Sequence, residues 1–178
     1  MPDESQKPVI GSIELLKILM LTGAVVGIFS VFQPWFSMDF FVAQFDYNGF
    51  DFLLKSFDYP EGYPGVGYYA YMPLIVLAAS GIALAASLLT FTKRERKGAI
   101  AGIVLGAVML VSTLLYIFYP LSKIVVSTPV VEVIADMKLM NYLGGGVYCA
   151  LIASVFLVIG GAVILMKKTE EPAAEETE

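Results

Sequence analysis

Four long stretches of this chain carry almost no charge, and they limit what it can fold into more than any other feature. They run over residues 12–33, 69–91, 99–119 and 144–166. A helix needs about 20 apolar residues to cross the hydrocarbon core of a bilayer, and each stretch is long enough. Of the 178 residues, 58% are hydrophobic, and the mean hydropathy is +0.78. A soluble domain of this length cannot hide that much apolar surface. The predicted fold class is therefore an all-α membrane protein. It is a four-transmembrane-helix bundle with a small extracytoplasmic β-rich cap drawn from the first and second outer loops.

Lys and Arg close to the span ends set the orientation. Lys7 and Lys17 precede or open the first span, Lys93, Arg94, Arg96 and Lys97 crowd the link at 92–98, and Lys167 and Lys168 close the fourth span. The outer loops hold only Lys55, Lys123 and Lys138. The N-terminus (1–11), the link and the acidic tail (167–178) are thus expected in the cytoplasm, with the protein in the cell membrane. Trp35 and all 10 tyrosines fall on the opposite side, where rings with a polar tip favour the headgroup region. Met1–Pro8 is polar and mildly acidic and lacks the pattern of a cleaved signal peptide. Ser12 reads as an N-cap with Glu14 in the first turn. Lys17, one turn on, is expected to snorkel to the headgroups; an ion pair of Glu14 with Lys17 is the other reading of that spacing.

Gln33-Pro34-Trp35 ends the first span, because proline cannot continue a helix. The first outer loop, 34–68, is rich in aromatic residues. Phe36–Phe45 and Phe50–Phe57 read as strands joined at Asn48-Gly49, a two-residue hairpin signal. That register sets Tyr47 opposite Phe50, Asp46 opposite Asp51 and Phe45 opposite Phe52. Two aspartates face to face destabilise a sheet; a cation held by Asp46, Asn48 and Asp51 would relieve this, and a solvated hairpin tip is the plainer reading. In the second outer loop, 120–143, Lys123–Thr128 is expected to add a strand to the sheet, and 130–142 to form a short helix after Pro129. The tail 169–178 is expected to be disordered.

Small residues recur inside the spans. Gly23 and Gly27 lie four apart in the first, and Gly98, Gly102 and Gly106 in the third. Gly146, Ala150 and Ser154 share a face of the fourth. Such spacing lets helix backbones approach closely. Packing within the bundle is the simpler reading, and association with another chain the alternative. No Asp, Glu, Lys or Arg lies in the middle of a span, which argues against an ion path or proton relay. The chain has no histidine and only one cysteine, Cys149. Disulfides, Cys/His zinc sites and histidine acid–base chemistry are excluded. A net charge of −5 gives no basic surface for nucleic acid. No enzymatic activity and no cofactor are expected.

With Pro34-Trp35 closing the first span, the layout resembles claudin-like tetraspan membrane proteins, in which a Pro-x-Trp element ends the first span and a β-sheet caps the bundle. In those proteins one strand of that sheet comes from the second loop. Here Pro and Trp are adjacent, Asn48-Gly49-Phe50 stands where the family has Gly-Leu-Trp, and the paired cysteines are absent. Aromatic packing would then have to hold the sheet. The Pro-Trp end also resembles small four-span prokaryotic proteins. The resemblance implies an adhesive, barrier-forming or accessory role. The expected function is contact through the outer domain, with the chain itself or with another membrane protein; the alternative is an accessory subunit of a larger membrane enzyme or transporter complex. Trp35 and Phe36 would anchor that domain. Phe41, Phe45, Tyr47, Phe50 and Phe52 would build its sheet, and Tyr59, Tyr63, Tyr68 and Tyr69 would offer the contact surface.

Overall fold

A computed structural model describes residues 12–40, 43–51, 71–118 and 143–170. Helix α1 spans Ser12–Ser30, strand β1 Pro34–Phe40 and strand β2 Ala43–Asn48. Helices α2 (Met72–Leu89), α3 (Glu95–Ile117) and α4 (Gly145–Glu170) follow. All four helices are long and apolar enough to cross a membrane. The architecture is a four-helix bundle carrying a small two-stranded antiparallel sheet, and its four apolar helices make the chain a multi-pass membrane protein.

The helix ends follow from local chemistry. After Ser30 the chain tightens into turn bonds, with Phe32 N–H donating to Phe29 O at 3.1 Å and Gln33 N–H to Ser30 O at 3.3 Å. Pro34 then stops the helix. Pro73 sits in the first turn of α2, where its missing N–H would have had no helical partner. Helix α3 begins at Glu95, so Arg96 and Lys97 of the basic link ride on its first turn. With 26 residues α4 is about 39 Å long, against a hydrocarbon core of about 30 Å. It is thus longer than the apolar layer is thick.

Helix α4 packs on α1 and α3, and α2 packs on the same two helices from the other side. Small residues make the seams. A Cβ on Gly23 would lie 2.9 Å from Ala153 O of α4, and one on Gly98 2.6 Å from Ala86 O of α2. A Cβ on Gly106 would lie 2.9 Å from Leu157 Cβ. Gly27 and Gly102 instead leave room for methionine: Met109 Cε lies 2.6 Å from the first Cβ position, and Met20 Cε crowds the second. These two methionines bridge α1 and α3 across the centre. Ala150 and Ser154 are wholly buried. Bulky residues such as Ile82, Val104, Leu115 and Ile152 point outward, as expected where lipid is the solvent.

The sheet departs from the sequence reading. Strand β1 pairs with β2 in the register Phe36↔Tyr47, Ser37↔Asp46, Met38↔Phe45 and Phe40↔Ala43. The ladder runs from Phe40↔Ala43 to Pro34↔Asn48, so Asn48-Gly49 is not its turn, and Phe50 and Asp51 are helical rather than the start of a strand. Asn48 acts as a helix cap instead of a hairpin turn. Its side-chain oxygen accepts the N–H groups of Phe50 and Asp51, both at 2.9 Å. Asp51 returns the contact by accepting Asn48 N–H at 3.1 Å. This is a capping box, with the carboxylate three residues after the cap. The second outer loop reaches the sheet through an isolated bridge, Leu143 to Phe36. The strand expected at 123–128, the helix at 130–142, Phe41, Phe52, the tail beyond 170 and the four tyrosines from Tyr59 to Tyr69 lie outside the described residues.

Candidate functional site

The outer end of the bundle is built around Trp35. Strand β1 holds one residue more than β2 between its first two pairs, Pro34↔Asn48 and Phe36↔Tyr47. Trp35 is that extra residue. A bulge re-aims a side chain out of the ladder, and here it sends the indole into the bundle, where it is 0% exposed. Its Nε1–H donates to Ser30 O of α1 at 2.9 Å, a carbonyl in the last helical turn that also accepts Gln33 N–H. Its ring meets Tyr116 of α3 edge-on, with centroids 5.1 Å apart and planes at 88°. On the third side Gly146 admits it to α4: a Cβ there would lie 2.6 Å from Trp35 Cδ1. Trp35 is therefore a buried peg.

Further ties fasten the hairpin around this peg. Trp35 O accepts Gly144 N–H at 3.1 Å, just before α4. At the far end of β2, Gly49 N–H donates to Val31 O at 2.9 Å. Gly49 is wedged so closely that a Cβ would lie 2.7 Å from both Pro73 Cβ and Val31 Cγ1. Phe50 packs its ring on Phe32, centroids 5.2 Å apart, and Phe36 packs on Tyr47 at 6.1 Å. Phe36, Tyr47 and Phe50 are half-buried. The hairpin is thus tied to all four helices. Among the described residues, the rings left outward at this end are Phe29, Phe32, Tyr71, Phe118 and Tyr148. The inward turn of Trp35 is not readable from periodicity, because it depends on the bulge.

The observed register also removes the reason for a cation. Asp46 faces Ser37, whose hydroxyl donates to its Oδ1 at 2.6 Å. Asp51 and Asn48 use their oxygens on backbone N–H groups of the capping box. The two aspartates are not opposed, and among the described residues no three acidic, cysteine or histidine side chains are grouped to hold a metal.

At the other end Lys17 reaches across to α3. Its Nζ lies 3.0 Å from Glu95 Oε1 and 5.9 Å from the centroid of Phe91. Neither the Glu14 pairing nor a headgroup-directed lysine describes it. Glu95 is not conspicuous in the sequence because it stands inside a basic run and reads as part of it. Between the two ends the bundle is lined with hydroxyls. Ser30 donates to Gly27 O, Ser87 to Ala83 O, Thr113 to Met109 O and Ser154 to Leu151 O. Each hydroxyl hydrogen is used within its own helix, a local pattern available to Ser and Thr, so these hydroxyls do not join into a chain across the interior.

Comparison with protein-family models, with curated proteins and with solved structures finds no match for this chain. The class defined by the fold is that of a four-span membrane protein with a hairpin pegged to one end of the bundle.

Proposed function

We propose that this chain is a non-enzymatic membrane protein that works by contact. Its outer end would meet a second copy or a neighbouring membrane protein. The observation behind this reading is the attachment of the hairpin: an outer surface fixed to all four helices can present a contact face without first having to be ordered. The outward rings of Phe29, Phe32, Tyr71, Phe118 and Tyr148 supply rigid area of the kind enriched at interfaces. The claudin-like layout supports the same reading, with the hairpin outside the cell and the basic link in the cytoplasm.

The alternative is an accessory subunit of a larger complex. It is favoured by Ala78, Gly81 and Ala85, small residues of α2 that face outward, unused by the bundle. Gentle extraction from native membrane followed by native mass determination separates the two. The expected result is a homo-oligomer or a complex that is weakened by Tyr71→Ser with Tyr148→Ser. A stoichiometric foreign subunit that survives those substitutions would favour the accessory reading. A bare monomer would contradict both.

A further inference from the structure

The link from α2 to α3 places Lys93, Arg94, Arg96 and Lys97 within one turn of chain. All four are exposed, and no ion pair among the described residues engages them. The acidic residue in their midst, Glu95, has Lys17 of α1 on its Oε1 at 3.0 Å. The link is also held in shape: Thr92 Oγ1 donates to Leu89 O at 2.8 Å and accepts Arg94 N–H at 3.2 Å. The four cations are therefore presented from an ordered turn. Each Lys or Arg beside an anionic membrane surface strengthens attachment by roughly fivefold.

The outward face of α2 runs away from this link. Ala78, Gly81 and Ala85 are exposed on it, and a Cβ built on Gly81 meets nothing within 4 Å. Ile75, Ile82 and Leu89 are exposed on the same helix. From Leu89 to Ala78 this face is about 16 Å long at the rise of an α-helix. One leaflet of hydrocarbon is about 15 Å deep. The cations thus stand at the end of a low-relief face as long as one acyl layer.

We infer that the basic link and the outward face of α2 form a binding site for an anionic phospholipid. The headgroup phosphate sits against Lys93, Arg94, Arg96 and Lys97, and an acyl chain lies over Gly81. Charge selects the headgroup, because a zwitterionic lipid carries a cation that the link repels. One ligand accounts for both the exposed cations and the outward small residues.

The test is native mass spectrometry of the full chain in neutral detergent, titrated with phosphatidylglycerol or phosphatidylcholine of the same chain length. Retention of phosphatidylglycerol is expected to exceed that of phosphatidylcholine by about tenfold or more. The fourfold variant K93Q/R94Q/R96Q/K97Q is expected to lose that preference. Gly81→Leu, whose side chain projects into open space and is expected not to lower the thermal midpoint, is expected to lower retention of both lipids. Equal retention of the two lipids by the native chain, or a preference that survives in the fourfold variant, would overturn the site. If Gly81→Leu removes a bound protein chain and leaves lipid retention intact, the face belongs to a partner helix and the lipid assignment is wrong. Full displacement of the lipid by an equal concentration of inorganic phosphate would assign the cations to a free anion instead.

Discussion

Trp35 shows how one residue can carry several constraints. Its placement needs a proline before it to end α1, a bulge to turn it inward, a glycine on α4 to admit it and Tyr116 to meet its edge. The sequence marks the first of these plainly, because Gln33-Pro34-Trp35 follows an apolar run. The direction of the ring is invisible there, since a lone tryptophan at a span end suits a headgroup anchor equally well. As the only tryptophan of the chain, it reports directly on the seat of the hairpin. Tyr116→Leu removes the edge contact and is expected to destabilise the protein by about 2 kcal/mol. The indole emission of that variant is expected to shift to the red and become more open to an aqueous quencher. An unchanged spectrum would mean that Tyr116 does not shield Trp35.

Among the elements, the helices are legible in the sequence and the hairpin only in part. Apolar runs in lipid have few alternatives to a helix, so the spans can be placed to within a few residues. The small residues at Gly23, Gly98 and Gly106 lie where backbones approach closely. Gly160 and Gly161, which also face α1 and α3, are inconspicuous because they are adjacent and do not repeat at four-residue spacing. The hairpin is harder to read because Asn48 fits two local rules. Asn-Gly suits a tight turn, while Asn48 with Asp51 makes a capping box, and tertiary contacts decide for the cap by wedging Gly49 under Pro73. Asn48→Ala is expected to cost about 1 kcal/mol and to speed amide hydrogen exchange at Phe50 and Asp51. Exchange as slow as in the native chain would show that the cap contributes nothing there.

At the scale of the molecule, the two ends differ in character. One carries a hairpin pinned by backbone bonds and aromatic packing; the other carries an ordered turn of exposed cations and the Lys17–Glu95 tie. In lipid there is little hydrophobic force between helices, so close backbone packing and short polar contacts must hold the bundle. Self-satisfied hydroxyls and methionines fill its centre, and chemical variety is left to the ends. What the chain touches is not legible in the sequence, because contact depends on which rings remain outward after the hairpin is seated. Outer contact and a cytoplasmic lipid site both require the two ends to lie on opposite faces of the membrane. Cysteine labelling in intact cells tests this directly, with Cys149→Ser as background and single cysteines placed by Asp46→Cys and Lys93→Cys. A membrane-impermeant maleimide is expected to label position 46 in intact cells and position 93 only after permeabilisation. Labelling of both positions in intact cells would contradict the opposite-face arrangement.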